Sequence, residues 1–127
     1  LVGVGHGAGK NPCSKQSLLG HLQEVRNNTD FAQVADLWLE ELPLVSSWKE
    51  VATKRHVIVI PYLLNDGQHG GWDIPAELGL PLDQPIHGQT HDVEGCQVRL
   101  TAALGTSPRF AEVISQLAEI WGQTSGQ

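Results

Sequence analysis

Residues 56–62, HVIVIPY, place Val57, Ile58, Val59 and Ile60 in an unbroken run of β-branched side chains. As a strand, such a run has no polar face to offer to water. It therefore predicts a strand buried on both faces, the situation of a central strand in a parallel sheet. The segments around it fit the same reading. Residues 1–4 form a short apolar run that breaks into Gly5, His6, Gly7 and Gly9, as a buried strand does where it ends over the edge of a sheet. Ser14 is a plausible N-cap, and Leu18, Leu19, Leu22 and Val25 then recur at helical spacing until Asn27 and Asn28.

Residues 34–40, VADLWLE, supply a second strand, and Pro43 opens a second helix with Leu44, Val45, Trp48, Val51 and Ala52 as its apolar stripe. Beyond residue 62 the pattern loosens into a Gly- and Pro-rich stretch in which only residues 72–78 look helical, as in a functional or lid-like loop. Residues 96–104 give a fourth strand and residues 105–108 a turn. The final helix then carries Phe110, Val113, Ile114, Leu117 and Ile120 on one face.

Strands alternating with helices imply an α/β fold, a parallel four-stranded sheet with helices on both faces and right-handed crossovers. Ligands on such sheets bind beyond the carboxyl ends of the strands, where strand order reverses. In the order 2-1-3-4 that crevice lies between the first and third strands. His6 follows the first of these and His69 lies in the loop after the other, so two histidines far apart in sequence are predicted to converge there.

Composition narrows the partners. The 127 residues make one domain, and a net charge of −6 argues against general affinity for nucleic acid or anionic membranes. The absence of an apolar run of membrane-spanning length or a signal-peptide pattern predicts a cytoplasmic chain. Cys13 and Cys96 lack CxxC spacing and read as free thiols.

Several motifs admit more than one reading. Residues 5–9 lack a dinucleotide or Walker pattern, so their small residues either let a flat ligand approach the backbone or form a tight turn with an incidental histidine. Asp73 lies four residues after His69 and can equally be the cap of the short helix that follows it, the favoured reading. His87 and His91 have HxxxH spacing, but Pro85, Gly88 and Gly95 make them exposed loop histidines rather than ligands on a helix. His21 and His56 read as structural or surface residues. Glu40 and Glu41 end the second strand on the edge that carries His6, either as proton acceptors and metal ligands or as solvated charge. Lys10, Lys15 and Arg109 lie near helix starts on that edge, where they would hold anionic groups. The serines lack a GxSxG elbow, and serine or cysteine hydrolase chemistry fits poorly.

Three segments, VGHGA (residues 4–8), VIVIPYLLNDGQHGGWDIP (residues 57–75) and ALGTSPRFAEVISQLAE (residues 103–119), together resemble the sirohydrochlorin cobaltochelatase and ferrochelatase family. These are class II chelatases, which insert a divalent metal into a modified tetrapyrrole without ATP. The resemblance implies a chelatase-like, flavodoxin-like fold and either a single unit that pairs as a homodimer or one unit of a tandem protein. His6 and His69 match the family histidines that face metal and macrocycle, and Ala8 stands where a serine is common. On this basis His6 and His69 are expected to bind the metal and accept pyrrole protons, assisted by Glu40 or Glu41. Tyr62, Leu63, Leu64 and Trp72 would wall the tetrapyrrole, with Lys10 and Arg109 at the rim. Cobalt, iron and nickel are equally acceptable to imidazole and carboxylate donors. A noncatalytic metal or tetrapyrrole carrier and a structural half of a larger chelatase-like protein are the other classes these residues allow.

Overall fold

A computed structural model describes residues 1–7 and 12–125. Its strands are β1 (Val2–Gly5), β2 (Ala35–Trp38), β3 (His56–Pro61), β4 (Thr90–Val93) and β5 (Cys96–Leu100). Its helices are α1 (Gln16–Asn28), α2 (Trp48–Val51), α3 (Ile74–Leu78) and α4 (Phe110–Ser125). They build one five-stranded sheet in the order β2-β1-β3-β5-β4. The first four strands in that order run parallel and reproduce the expected 2-1-3-4 arrangement, so β1 and β3 are neighbours and strand order reverses between them.

The fifth strand is an addition. β4 pairs antiparallel with β5 through a two-residue turn at Glu94 and Gly95, both at positive φ, the geometry of a tight hairpin. Two histidines change place accordingly. His91 lies half-buried on β4, with its Nε2 enclosed, and His87 is half-buried with Nε2 3.8 Å from Asp66 Oδ1, so neither is the exposed loop residue expected.

On one face of the sheet Val2, Val4, Leu37, Val57, Val59, Val98 and Leu100 pack against Trp48, Ile74 and Leu78 in a continuous core. On the other, α1 sets Leu18 and Leu22 against Trp38. The expectation that β3 is buried on both faces is met on one only. Val57 and Val59 are buried, whereas Ile58 and Ile60 on the opposite face are half-buried. α4 is not laid over them. Every residue from 111 to 123 is exposed, and among the described residues none of α4 is named in either core.

Three element starts also differ. Lys15 precedes α1 after a 3-10 turn at Pro12–Lys15, in place of a Ser14 cap. The second helix begins at Val45–Ser47 as a 3-10 turn, two residues beyond Pro43, whose peptide bond to Leu42 is cis. Asp73 makes no capping hydrogen bond to α3.

The turn before α4 is held tightly to the sheet edge. Gly105 donates its N–H to Leu63 O at 2.9 Å, and a Cβ at Gly105 would overlap the backbone O and Cα of Leu64. A backbone neighbour cannot swing aside as a side chain does. Gly105→Ala is expected to destabilise the fold by about 1–3 kcal/mol, read as a lower urea midpoint at unchanged m-value.

A paired-histidine candidate active site

The end of β1 delivers His6 to the crevice. Its neighbour Gly7 takes φ of +75°, and a Cβ there would lie 2.8 Å from Glu41 Cγ, so this turn closes only around a residue without a side chain. In this conformation Gly7 O lies 2.7 Å from His6 Nδ1. A carbonyl oxygen only accepts, so Nδ1 carries the proton and the neutral ring offers its lone pair at Nε2. That Nε2 stands 3.5 Å from Glu40 Oε1, which the turn after β2 brings over through the hydrogen bond from Glu40 N to His6 O at 3.0 Å. A lone pair facing a carboxylate is a place for a proton or a cation.

His69 arrives from the other side, on a π-turn (His69–Asp73) that leads into α3. The turn sets His69 and Asp73 one above the other, and Nδ1 lies 2.7 Å from Asp73 Oδ2. The expected cap is thus a histidine partner. Because the carboxylate accepts, His69 is also protonated at Nδ1 and presents Nε2, the arrangement in which a carboxylate orients a metal-binding imidazole. The two rings meet edge to face, with centroids 4.8 Å apart and planes inclined by 71°. Both side chains are a little over two-fifths exposed, at 43% and 44%, enough for a ligand to reach them.

The structure thus gathers His6, His69 and Glu40, with Glu41 packed beside Gly7. It does not gather them into a closed metal cage: among the described residues no group of three or more His, Cys, Asp or Glu side chains converges as a ligand set. Trp72 shares the π-turn with His69 and is 53% exposed. Tyr62 lines a shallow apolar depression with Leu63, Leu64, Leu104 and Phe110, while its hydroxyl is held 2.6 Å from His21 Nδ1 on α1. Burial pushes the Tyr62 phenol above its ordinary range, against the hydrogen bond from Ser17, so it is a neutral hydroxyl at physiological pH. Lys15 is committed elsewhere, donating to Leu42 O at 2.9 Å and lying over the Trp38 ring. Arg109 is exposed just before α4, and Lys10 lies outside the described residues.

Asp73 and Asp66 also belong to the site. Of the two roles the sequence allows Asp73, helix cap and partner of His69 at a spacing of four, the structure selects the pair on one helical face over the favoured cap. Asp66 accepts the Ala103 N–H at 2.8 Å and tethers the loop carrying His69 to the end of β5, which no local pattern announces.

A doubly wound α/β sheet with two imidazoles over its switch point is the arrangement that the resemblance to chelatase-like folds implies. The CbiX family model matches residues 1–120, and the chain belongs to the CbiX family. It is 28% identical over 127 residues to a Halobacterium salinarum protein described as a probable sirohydrochlorin cobaltochelatase. That match covers 99% of this chain and 44% of the relative, so the chain spans less than half of the curated relative's length. Among solved structures it is similar, with a TM-score of 0.84 and 24% identity, to a multi-domain Deinococcus radiodurans protein described as having structural similarity to chelatases and two additional novel domains. The match covers 93% of this chain and 27% of that one, and supports the fold alone. Among the described residues no helix is long and apolar enough to cross a membrane.

Proposed function

We propose that this chain inserts a divalent metal ion, cobalt or iron, into sirohydrochlorin or a related tetrapyrrole without ATP. The observation that carries the reading is the pair of rings 4.8 Å apart, each fixed by its own acceptor as the Nδ1–H tautomer. Metallation releases two protons as the ion replaces them on the pyrrole nitrogens, so charge balances without a co-reactant. The metal is a substrate, and a site that must give it up gains nothing from a closed cage. The two imidazoles hold it while leaving positions open for the ring nitrogens.

The same atoms then serve twice. As the ion passes to the macrocycle, each vacated Nε2 becomes the base that takes a pyrrole proton, and Glu40 beside His6 Nε2 passes it towards water. The exposed Trp72 and the depression lined by Tyr62, Leu63 and Leu64 provide apolar wall for the ring, and Arg109 provides a cation for its carboxylate arms. One unit offers the macrocycle one such wall. A second unit, in a homodimer or in tandem, would supply the opposite one.

The test is anaerobic absorbance spectroscopy of sirohydrochlorin with cobalt(II), with and without the protein. Faster conversion with protein supports insertion; metal binding with no acceleration identifies a carrier instead. Asp73→Ala is expected to reduce the rate by about 10- to 100-fold while leaving the fold intact, because His69 would lose the group that fixes its tautomer.

A further inference from the structure

His69 reaches the site on a turn with little stiffness of its own. Gly70 and Gly71 follow it directly, glycine has the largest backbone freedom of any residue, and π-turns are rare without support from elsewhere. Yet the ring must meet His6, which is carried on a separate segment at the end of β1. The position of His69 therefore has to be set from outside the turn. Asp66, three residues before it, is placed to do so. Leu64, Asn65, Gly67 and Gln68 are exposed, whereas the Asp66 side chain turns inward and is 25% exposed. Its Oδ1 accepts the Ala103 N–H at 2.8 Å, joining residues 37 apart in sequence.

Ala103 is a firm anchor. It is buried, and its own carbonyl accepts from Thr106 N at 3.0 Å and from Thr106 Oγ1 at 2.7 Å. The π-turn is seated on the same aspartate. A Cβ at Gly70 would stand 3.1 Å from Asp66 Oδ1, and one at Gly71 2.7 Å from Asp66 O, so a side chain at Gly71 would force the turn and the aspartate apart. A third segment closes around that oxygen, with His87 Nε2 3.8 Å away. We infer that Asp66 is a positioning residue of the paired-histidine site: it sets where His69 Nε2 stands relative to His6 by fastening the π-turn to the sheet edge at Ala103. The inference rests on the role proposed for the two histidines. Its task differs from that of Asp73, which fixes the tautomer of the His69 ring but rides the same turn and moves with it. Released from Ala103, the ring would keep its Nδ1–H and lose its place.

The test separates place from tautomer. Asp66→Ala is expected to lower kcat for cobalt(II) insertion into sirohydrochlorin by about 10- to 100-fold, with KM for the tetrapyrrole changed by less than about 3-fold. Asp66→Asn keeps an oxygen to accept the Ala103 N–H and is expected to stay within about 3-fold of wild type. A second readout needs no metal insertion. NOEs between the ring protons of His6 and His69, expected from centroids 4.8 Å apart, should vanish in the alanine variant and persist in the asparagine one, while His69 Nδ1 stays protonated in both. Asp66→Ser, whose hydroxyl is one bond shorter, takes the place of alanine if that variant fails to fold, with the same losses expected. Wild-type NOEs and rate in the folded alanine or serine variant overturn the inference. So do an asparagine variant as impaired as alanine, or the absence of these NOEs from the wild type. A wild-type protein that shows the NOEs without inserting metal refutes the chelatase reading alone, and the NOEs of the variants then decide the role of Asp66.

Discussion

Replacing His69 with alanine is expected to slow metal insertion by about 10²- to 10⁴-fold, the range lost when a positioned acid–base group is removed. The size follows from the double duty of its Nε2, which loses both a ligand to the arriving ion and a base for the departing proton. His6→Ala should act alike, since its ring is fixed by Gly7 O as firmly as His69 is by Asp73. The two losses should not add. The rings lie 4.8 Å apart and act on one ion, so the double variant should be little slower than either single one. Initial rates for the three variants at saturating cobalt(II) check this, and multiplying effects would mean that the histidines act in separate steps.

Trp38→Ala is expected to remove about 3–5 kcal/mol of stability, a large share of the 5–15 kcal/mol typical of a domain. The ring is 1% exposed, sits between Leu18 and Leu22 of α1 and the backbone of Gly5, and lies beneath the Lys15 ammonium. Its Nε1–H donates to Asp36 Oδ2 at 2.6 Å, so truncation also strips a carboxylate of its partner. Few neighbours can collapse into the void, because Gly3 and Gly5 present only backbone on that face. Urea denaturation measures the loss. A cost below about 1 kcal/mol would show that α1 is not anchored through this residue.

Residues 56–62 announced the parallel sheet because four adjacent β-branched side chains have few other uses, and from it followed the crevice and the meeting of His6 with His69. Local signals failed where tertiary context or side-chain choice decided. Thr90–Val93 alternates half-buried and exposed residues, too polar to suggest a strand until Glu94 and Gly95 are read as a two-residue hairpin turn. The Asp73 carboxylate had two sets of donors in view, the N–H groups of the helix start and the His69 ring, and proximity in the π-turn chose the imidazole. The stripe on α4 correctly indicated an amphipathic helix but not what it packs against. Periodicity specifies a buried face without specifying whose core buries it.

The most direct measurement is long-range ¹H–¹⁵N NMR of the histidine rings, recorded at neutral pH before and after one equivalent of zinc(II) as a diamagnetic divalent probe. The account predicts that neutral His6 and His69 are both Nδ1–H tautomers and that zinc shifts their Nε2 signals together. Movement of Nδ1 instead, or zinc binding at His87 and His91 with His6 and His69 unchanged, would contradict it.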